Sequence, residues 1–188
     1  MSEDLELLDR FIAGDQDAFN ELMRSHEGRV FAIAMRMMRN REAALDATQE
    51  TFLTLYRKAD RFHRKSAFST WLYRVTINTC YDQLRRQKRQ RADALPEGTD
   101  PADPRSADEI EGAELRPDLS RALAGLSENF RAAVVLVDFE GHSLETVAEI
   151  LEVPIDTVKS RVFRGRSILA EKLGNLSPVS NPPKKDHE

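Results

Sequence analysis

GHSLETVAEILEVPIDTVKSRVFRGR, residues 141–166, decides how this chain is read. Ser143 is a good helix N-cap, and Thr146 stands where a capping box would place its partner. Val147, Ile150 and Leu151 then form one apolar stripe at helical spacing, with Ala148 small where a second helix must cross closely. Val153-Pro154 breaks that helix, and Pro154 is tolerated in the first turn of the next, where its missing N–H has no partner to lose. The second helix is expected to bury Val158 and Val162 and to turn Lys159, Ser160, Phe163, Arg164 and Arg166 outward. Such a helix-turn-helix is built to enter a major groove. The competing reading is a solvated basic face on an ordinary helical protein. The rest of the chain has to decide.

Bulk properties narrow the field. A chain of 188 residues can bury one generous core or two small ones. With 40% hydrophobic and 32% charged residues it reads as a soluble globular protein. No apolar run reaches bilayer-spanning length, and the acidic residues 1–10 lack a signal-peptide shape, so a cytoplasmic protein is expected. The single cysteine, Cys80, excludes an internal disulfide and a multi-cysteine zinc site. It falls in an apolar helical stretch and reads as a buried structural thiol. The four histidines lack ligand spacing, so no metal is expected.

The formal net charge of −4 conceals segregation. Between Asp93 and Asp118 lie nine acids against Arg105 and Arg116, a net of −7, which leaves +3 for the remainder. Bases cluster at 57–65, 85–91 and 159–166. Basic faces on an acidic chain remain compatible with nucleic acid.

The organisation follows from composition. Residues 94–106 hold three prolines and a glycine and read as a linker. Before it, helices are expected at 5–13, 17–26, 29–38, 42–58 and 70–90, the last capped by Ser69. Leu45, Thr48, Phe52 and Leu55 form the expected core side of the fourth, and Trp71, Leu72, Val75, Thr79 and Leu84 that of the fifth. After the linker, helices at 115–126, 128–139, 144–151 and 156–173 form a compact unit, and the apolar VVLV at 134–137 sits inside a helical stretch. The fold class is all-α. Two small helical domains, residues 1–92 and 115–174, flank a flexible acidic linker at 93–114, and residues 175–188 form a tail.

Two further constellations carry chemistry. In KSAFSTWLYRVTINTCYDQLRRQKRQR, residues 65–91, the aromatics Phe68, Trp71, Tyr73 and Tyr81 alternate with Lys65, Arg74, Arg85 and Arg86, and Asn78 lies one turn from Arg74. Unpaired bases need flat apolar partners and hydrogen-bonding groups, and their backbone needs cations. Trp71 and Phe68 are equally compatible with core positions, whereas Asn78 and Arg74 fall on the more exposed side of the helical wheel. In DATQETFLTLYRK, residues 46–58, Asp46, Gln49 and Glu50 share one helical flank. That flank is either a solvated face or a docking surface for a basic partner.

In this order, over residues 8–173, these pieces resemble the extracytoplasmic-function (group IV, sigma-70) sigma factors of bacterial RNA polymerase. The resemblance implies that Asp46, Gln49, Glu50 and Phe52 belong to the helix that docks on the polymerase's largest subunit. It implies that residues 69–86 melt and hold the −10 promoter element, with Asn78 and Asp82 facing an extruded base and Lys65, Arg74, Arg85 and Arg86 beside them. Pro154, Thr157, Lys159, Ser160, Phe163 and Arg164, with Arg166, would form the −35 recognition helix. Many relatives carry Glu where this chain has Leu45, and Gly where it has Glu152 and Asp156. Asp156 could cap the recognition helix, but an acid there repels phosphates.

The implied function is a promoter-specificity subunit with core polymerase and promoter DNA as partners, a monomer when free, without membrane insertion. The family's usual inhibitor is an anti-sigma factor, often membrane-bound. No nucleophile–base pair, phosphate-cradling glycine loop or metal constellation is present, so neither catalysis nor a cofactor is expected. The alternative is a stand-alone helix-turn-helix regulator that binds duplex DNA as a dimer. It would leave the aromatic-basic segment and the acidic linker without a purpose.

Overall fold

The computed structural model describes residues 3–94 and 117–174, so the expected linker and tail lie almost wholly outside the described residues. All regular structure within them is helical: α1 (Glu3–Ile12), α2 (Gln16–Met38), α3 (Arg41–Lys58), a 3₁₀ turn (Ala59–Arg61), α4 (Phe68–Ala94), α5 (Pro117–Ala124), α6 (Glu128–Val134), a π-helical turn (Val135–Phe139), α7 (Leu144–Leu151) and α8 (Ile155–Gly174).

Local chemistry sets the boundaries. Gly14 takes φ +106° and turns the chain out of α1. The Asp15 carboxylate then accepts from the amides of Asp17 and Ala18 at 3.0 and 3.3 Å, and Arg10 holds it in place from α1. Asn40 caps α3 through the Ala43 amide at 2.9 Å. Two expected helices, 17–26 and 29–38, are one: α2 runs unbroken through Gly28, whose roughly 1 kcal/mol helical penalty the apolar face of a 23-residue helix absorbs. Ser69 caps nothing, because α4 begins at Phe68 and carries Ser69 inside its first turn.

The first domain is the packing of α1–α4. Leu8, Leu22, Ile33, Met37, Leu55, Phe68, Leu72 and Ile77 are among its fully buried side chains. Each such aliphatic contributes about 1.5–3 kcal/mol. The inward face of α3 is Ala44, Ala47, Thr51, Phe52 and Leu55, so Leu45 is not core; it stands 49% exposed. Two small alanines let α2 and α3 approach closely, and that rotates the larger Leu45 outward. Thr51 and Thr76 are buried because each hydroxyl returns to the carbonyl four residues earlier. Cys80 is fully buried, and burial pushes its thiol up to about 12.

The second domain packs α5–α8 around Leu123, Leu136, Val147, Ile150, Val158 and Val162. Gly165 permits the contact between α6 and α8: a Cβ there would sit 2.5 Å from Cγ2 of Val134. The VVLV run is helical as expected, but its last part winds as the π turn.

The domains are not merely tethered; they pack directly. The buried Arg131 guanidinium donates to the carbonyls of Leu123 and Leu126 at 3.0 Å in its own domain, and to Met37 of α2 at 2.7 Å. Glu140 reaches Arg36 at 3.1 Å and Arg29 at 3.4 Å, both on α2. Arg36 also lies over the Phe139 ring, 5.0 Å from its centroid. Along α4, Tyr73 meets the His142 ring at 5.3 Å, and Lys88 pairs with Glu128.

Candidate nucleic-acid interface

The helix-turn-helix forms as its residues dictate. The Ser143 hydroxyl accepts from the Thr146 amide at 3.1 Å and lies 3.2 Å from the Thr146 hydroxyl. Glu152 ends α7 in the left-handed region at φ 53°, ψ 44°, the conformation glycine adopts without cost. The Pro154 carbonyl accepts from Thr157 and Val158 at 2.9 and 3.2 Å, so Pro154 stands just before α8 and opens its first turn. Asp156 does not cap α8. It is already inside the helix, with its side chain 87% exposed and its carboxylate 3.1 Å from Lys159.

Val158 and Val162 are buried, and the opposite side of α8 is open. Phe163 is 73% exposed, a large apolar ring held in water beside exposed Lys159, Ser160 and Arg164. Thr157 is half-buried. Arg166 is exposed but engaged, donating through Nε to both oxygens of Asp138 at 3.1 and 3.2 Å, which raises its pKa. It braces α8 against the π turn, which leaves Lys159, Ser160, Phe163 and Arg164 as the exposed set on the open side of α8.

A groove of about 390 Å³ lies between α3 and α4. It gathers Arg74, Asn78, Asp82 and Arg86, four of the six expected −10 residues, along one side of α4. Asn78, Asp82 and Arg86 are exposed. Arg85 is exposed beyond its edge and bonds Asp82 at 3.2 Å, and Lys65 is exposed in the segment 62–67 before α4. Trp71 is half-buried and lines the groove, flanked by Phe62 and Phe68. Its indole is therefore a wall as well as packing, a role the wheel alone did not reveal. Lys58, at the end of α3, also lines the groove and was missed because its partners lie on another helix.

Arg74 is less free than its sequence position suggests. It is half-buried, with Nη2 donating to the Glu149 carbonyl at 2.8 Å and Nη1 3.1 Å from Glu152. On α3, Asp46 and Gln49 are exposed, Glu50 is half-buried at the groove, and Phe52 is only 6% exposed. Phe52 thus anchors the helix from within and offers no surface. Leu45, Leu53 and Tyr56 supply the exposed apolar area on α3. Among the described residues no group of histidine, cysteine and carboxylate side chains has a geometry that could hold a metal, and no helix is long and apolar enough to cross a membrane.

Two families match in series: sigma-70 region 2 over residues 22–90 and sigma-70 region 4 over residues 116–169. This chain belongs to the sigma-70 family. Within that family its relatives are extracytoplasmic-function sigma factors. It is 41% identical over 170 residues to the ECF RNA polymerase sigma factor SigE of Mycolicibacterium smegmatis, covering 87% of this chain and 66% of that relative's length. It is 40% identical over 178 residues to SigM of Mycobacterium tuberculosis, covering 95% and 88%. Among solved structures it is similar to the sigma factor RpoE in complex with the anti-sigma factor NepR from Bartonella quintana. That match has a TM-score of 0.67 at 28% identity and covers 87% of this chain and 98% of the other. CnrH, solved with the cytosolic domain of CnrY, shares the fold at TM-score 0.68 and 24% identity. In this sigma factor, region 2 corresponds to α2–α4 and region 4 to α5–α8.

Proposed function

We propose that this sigma factor joins core RNA polymerase, directs it to promoters and is restrained by an anti-sigma factor. One observation carries the reading: a single chain presents two unlike nucleic-acid faces. The open face of α8 suits a duplex major groove, where Arg164 and Lys159 donate to base edges or phosphates and Phe163 offers an apolar contact. The α3–α4 groove suits an unpaired base: Trp71 supplies a flat wall, Asn78 and Asp82 supply donor and acceptor groups, and Arg74 and Arg86 supply cations for the backbone. A stand-alone duplex binder has no use for the second face.

The exposed Asp46, Gln49, Leu45, Leu53 and Tyr56 supply a mixed acidic and apolar docking strip for polymerase on the side of α3 away from its core. No bond is made or broken by the protein itself; it supplies binding and orientation. The anti-sigma factor enters through likeness to RpoE, which was solved bound to NepR. Core polymerase with and without the protein, on promoter fragments from its source, tests the proposal. New transcripts with fixed start points are expected, and folded protein that adds none would discard the reading.

A further inference from the structure

We infer that Arg39 and Arg91, backed by the buried Arg131, form a binding site for the terminal phosphoryl group of a small phosphorylated solute, at the seam where the ends of α2 and α4 meet α6. None of the three lines the α3–α4 groove or lies on α8, so the site stands whether or not those faces bind nucleic acid.

The helices bring the cations together. Arg131 of α6 donates to the Met37 carbonyl in the last turn of α2 at 2.7 Å, and Arg39 follows two residues later as the cap of that helix. Lys88 of α4 pairs with Glu128, which stands one turn before Arg131 on α6. Arg91 lies one further turn along α4. Among the described residues, Glu128 is the only carboxylate that any of these four cations bonds, and Lys88 already holds it.

Arg39 is the exceptional member. Its backbone stands in the left-handed region at φ 60° and ψ 16°, where glycine or asparagine ends a helix at less cost. Its side chain is half-buried, its Nε is shut off from water, and its guanidinium has no acceptor among the described residues. Arg36 and Arg74 also carry an unpartnered Nε, but each reaches a carboxylate through Nη, which Arg39 does not. Burial, and then Arg91, lower the pKa of Arg39; burial, and then Arg39, bring Arg131 down to about 10. Each guanidinium therefore sits in the positive field of the next. An ordinary surface arginine such as Arg24 leaves its charge in water.

The component that balances this arrangement is an oxyanion. A guanidinium presents parallel donors matched to phosphoryl oxygens, and a dianion compensates two neighbouring cations at once. Size then selects the ligand. Arg131 is only 4% exposed and supplies field, so direct bonds fall to the half-buried Arg39 and the exposed Arg91. A phosphate inside a nucleic-acid strand carries a sugar on two sides and is kept away from a shielded Nε. A terminal phosphoryl group has three free oxygens and can approach it.

Nitrogen-15 NMR of the arginine Nε–Hε groups in the full chain reads the site directly, with sodium pyrophosphate as probe and sodium chloride holding ionic strength constant. Arg39→Gln assigns the Arg39 signal. Pyrophosphate should shift that signal and saturate it at a concentration at least about tenfold below the one that moves Arg24. Arg91→Gln, at an exposed position, should weaken the Arg39 response about tenfold while far-UV dichroism keeps its helical signal. Equal responses of Arg39 and Arg24 would overturn the site. So would an unmoved Arg39 signal, whether the site is empty or filled by a carboxylate of the chain itself. A random-sequence oligonucleotide that shifts Arg39 as strongly as pyrophosphate, at equal phosphate concentration, would overturn it too, by making Arg39 a contact to nucleic-acid backbone. Failure of the protein to support transcription would discard the functional proposal and leave the NMR result standing.

Discussion

α4 and α8 each carry cations and an aromatic toward the nucleic-acid side, yet they are held differently. α8 rests on Val158 and Val162 within its own domain and keeps Phe163 73% exposed. α4 is wedged between domains: Trp71 sinks into a groove wall, Tyr73 is covered by His142, and Arg74 is bound by α7. A helix that reads intact duplex can be finished and exposed from the start. A helix that handles melted DNA exposes stacking and charged groups that would capture any single strand. On α4 only part of that set is covered: Arg74 is engaged by α7, while Asn78, Asp82 and Arg86 stay exposed.

Removing the member common to both sides should break this comparison most severely. Arg131→Met leaves three carbonyls, two within region 4 and one on α2, without their charged donor. The expected loss is at least about 3 kcal/mol of stability, read by chemical denaturation. Melting of region 4 alone, with the rest unaffected, would show that Met37 is an incidental acceptor.

Substitutions on the two helices should then separate. Arg164→Ala is expected to cost about 1–3 kcal/mol of duplex discrimination, measured by competition between promoter and random duplexes, with polymerase affinity unchanged. Asn78→Ala should leave duplex affinity intact and reduce promoter opening, followed by permanganate reactivity of unpaired thymines. Equal loss of polymerase binding in both would mean misfolding and would remove the basis for the division.

Glu152→Gly sharpens the contrast at the turn itself. Glycine relieves the left-handed backbone by about 1 kcal/mol and should raise the melting temperature of region 4. It also removes a carboxylate from Arg74, so single-strand affinity should rise with it. A fall in stability would mean that the Arg74 pair outweighs the backbone strain.

The effect that is smallest near neutral pH is the alkaline one. Burial raises Cys80 and Tyr81 to about 12 each, so the folded protein keeps both neutral where the unfolded chain ionises them. Their contribution is full below about pH 9 and is lost as pH rises toward 12. Unfolding free energy should decline across that window, and less steeply in Cys80→Ala. At pH 8 a thiol reagent should modify Cys80 only as fast as the protein unfolds.

Much of this was legible in the residues. The Ser143 cap, the Val147–Ile150 stripe and the Val158–Val162 pair follow from helical spacing, and Cys80 is buried where its neighbours are apolar. Other features depend on partners distant in sequence. Leu45 points outward because α2 takes the small face of Ala44 and Ala47. Trp71 becomes a groove wall only once α3 lies beside it. The seam is least visible, since guanidinium-to-carbonyl bonds such as Arg131 to Met37 join residues far apart and leave no sequence pattern.

The π turn at Val135–Phe139 makes the coupling between domains tolerant of a change in length. It carries one residue more than an α-helical turn needs and lets adjacent positions serve opposite neighbours: Asp138 meets Arg166 of α8, while Phe139 and Glu140 meet α2. Loss of a single codon there, such as that for Val137, would let the segment rewind as regular helix with Glu140 and everything downstream close to its present orientation. In a helix that stayed α throughout, the same deletion would swing the downstream chain by about 100°. In evolution, this turn could absorb one in-frame deletion without carrying Glu140 away from its arginines.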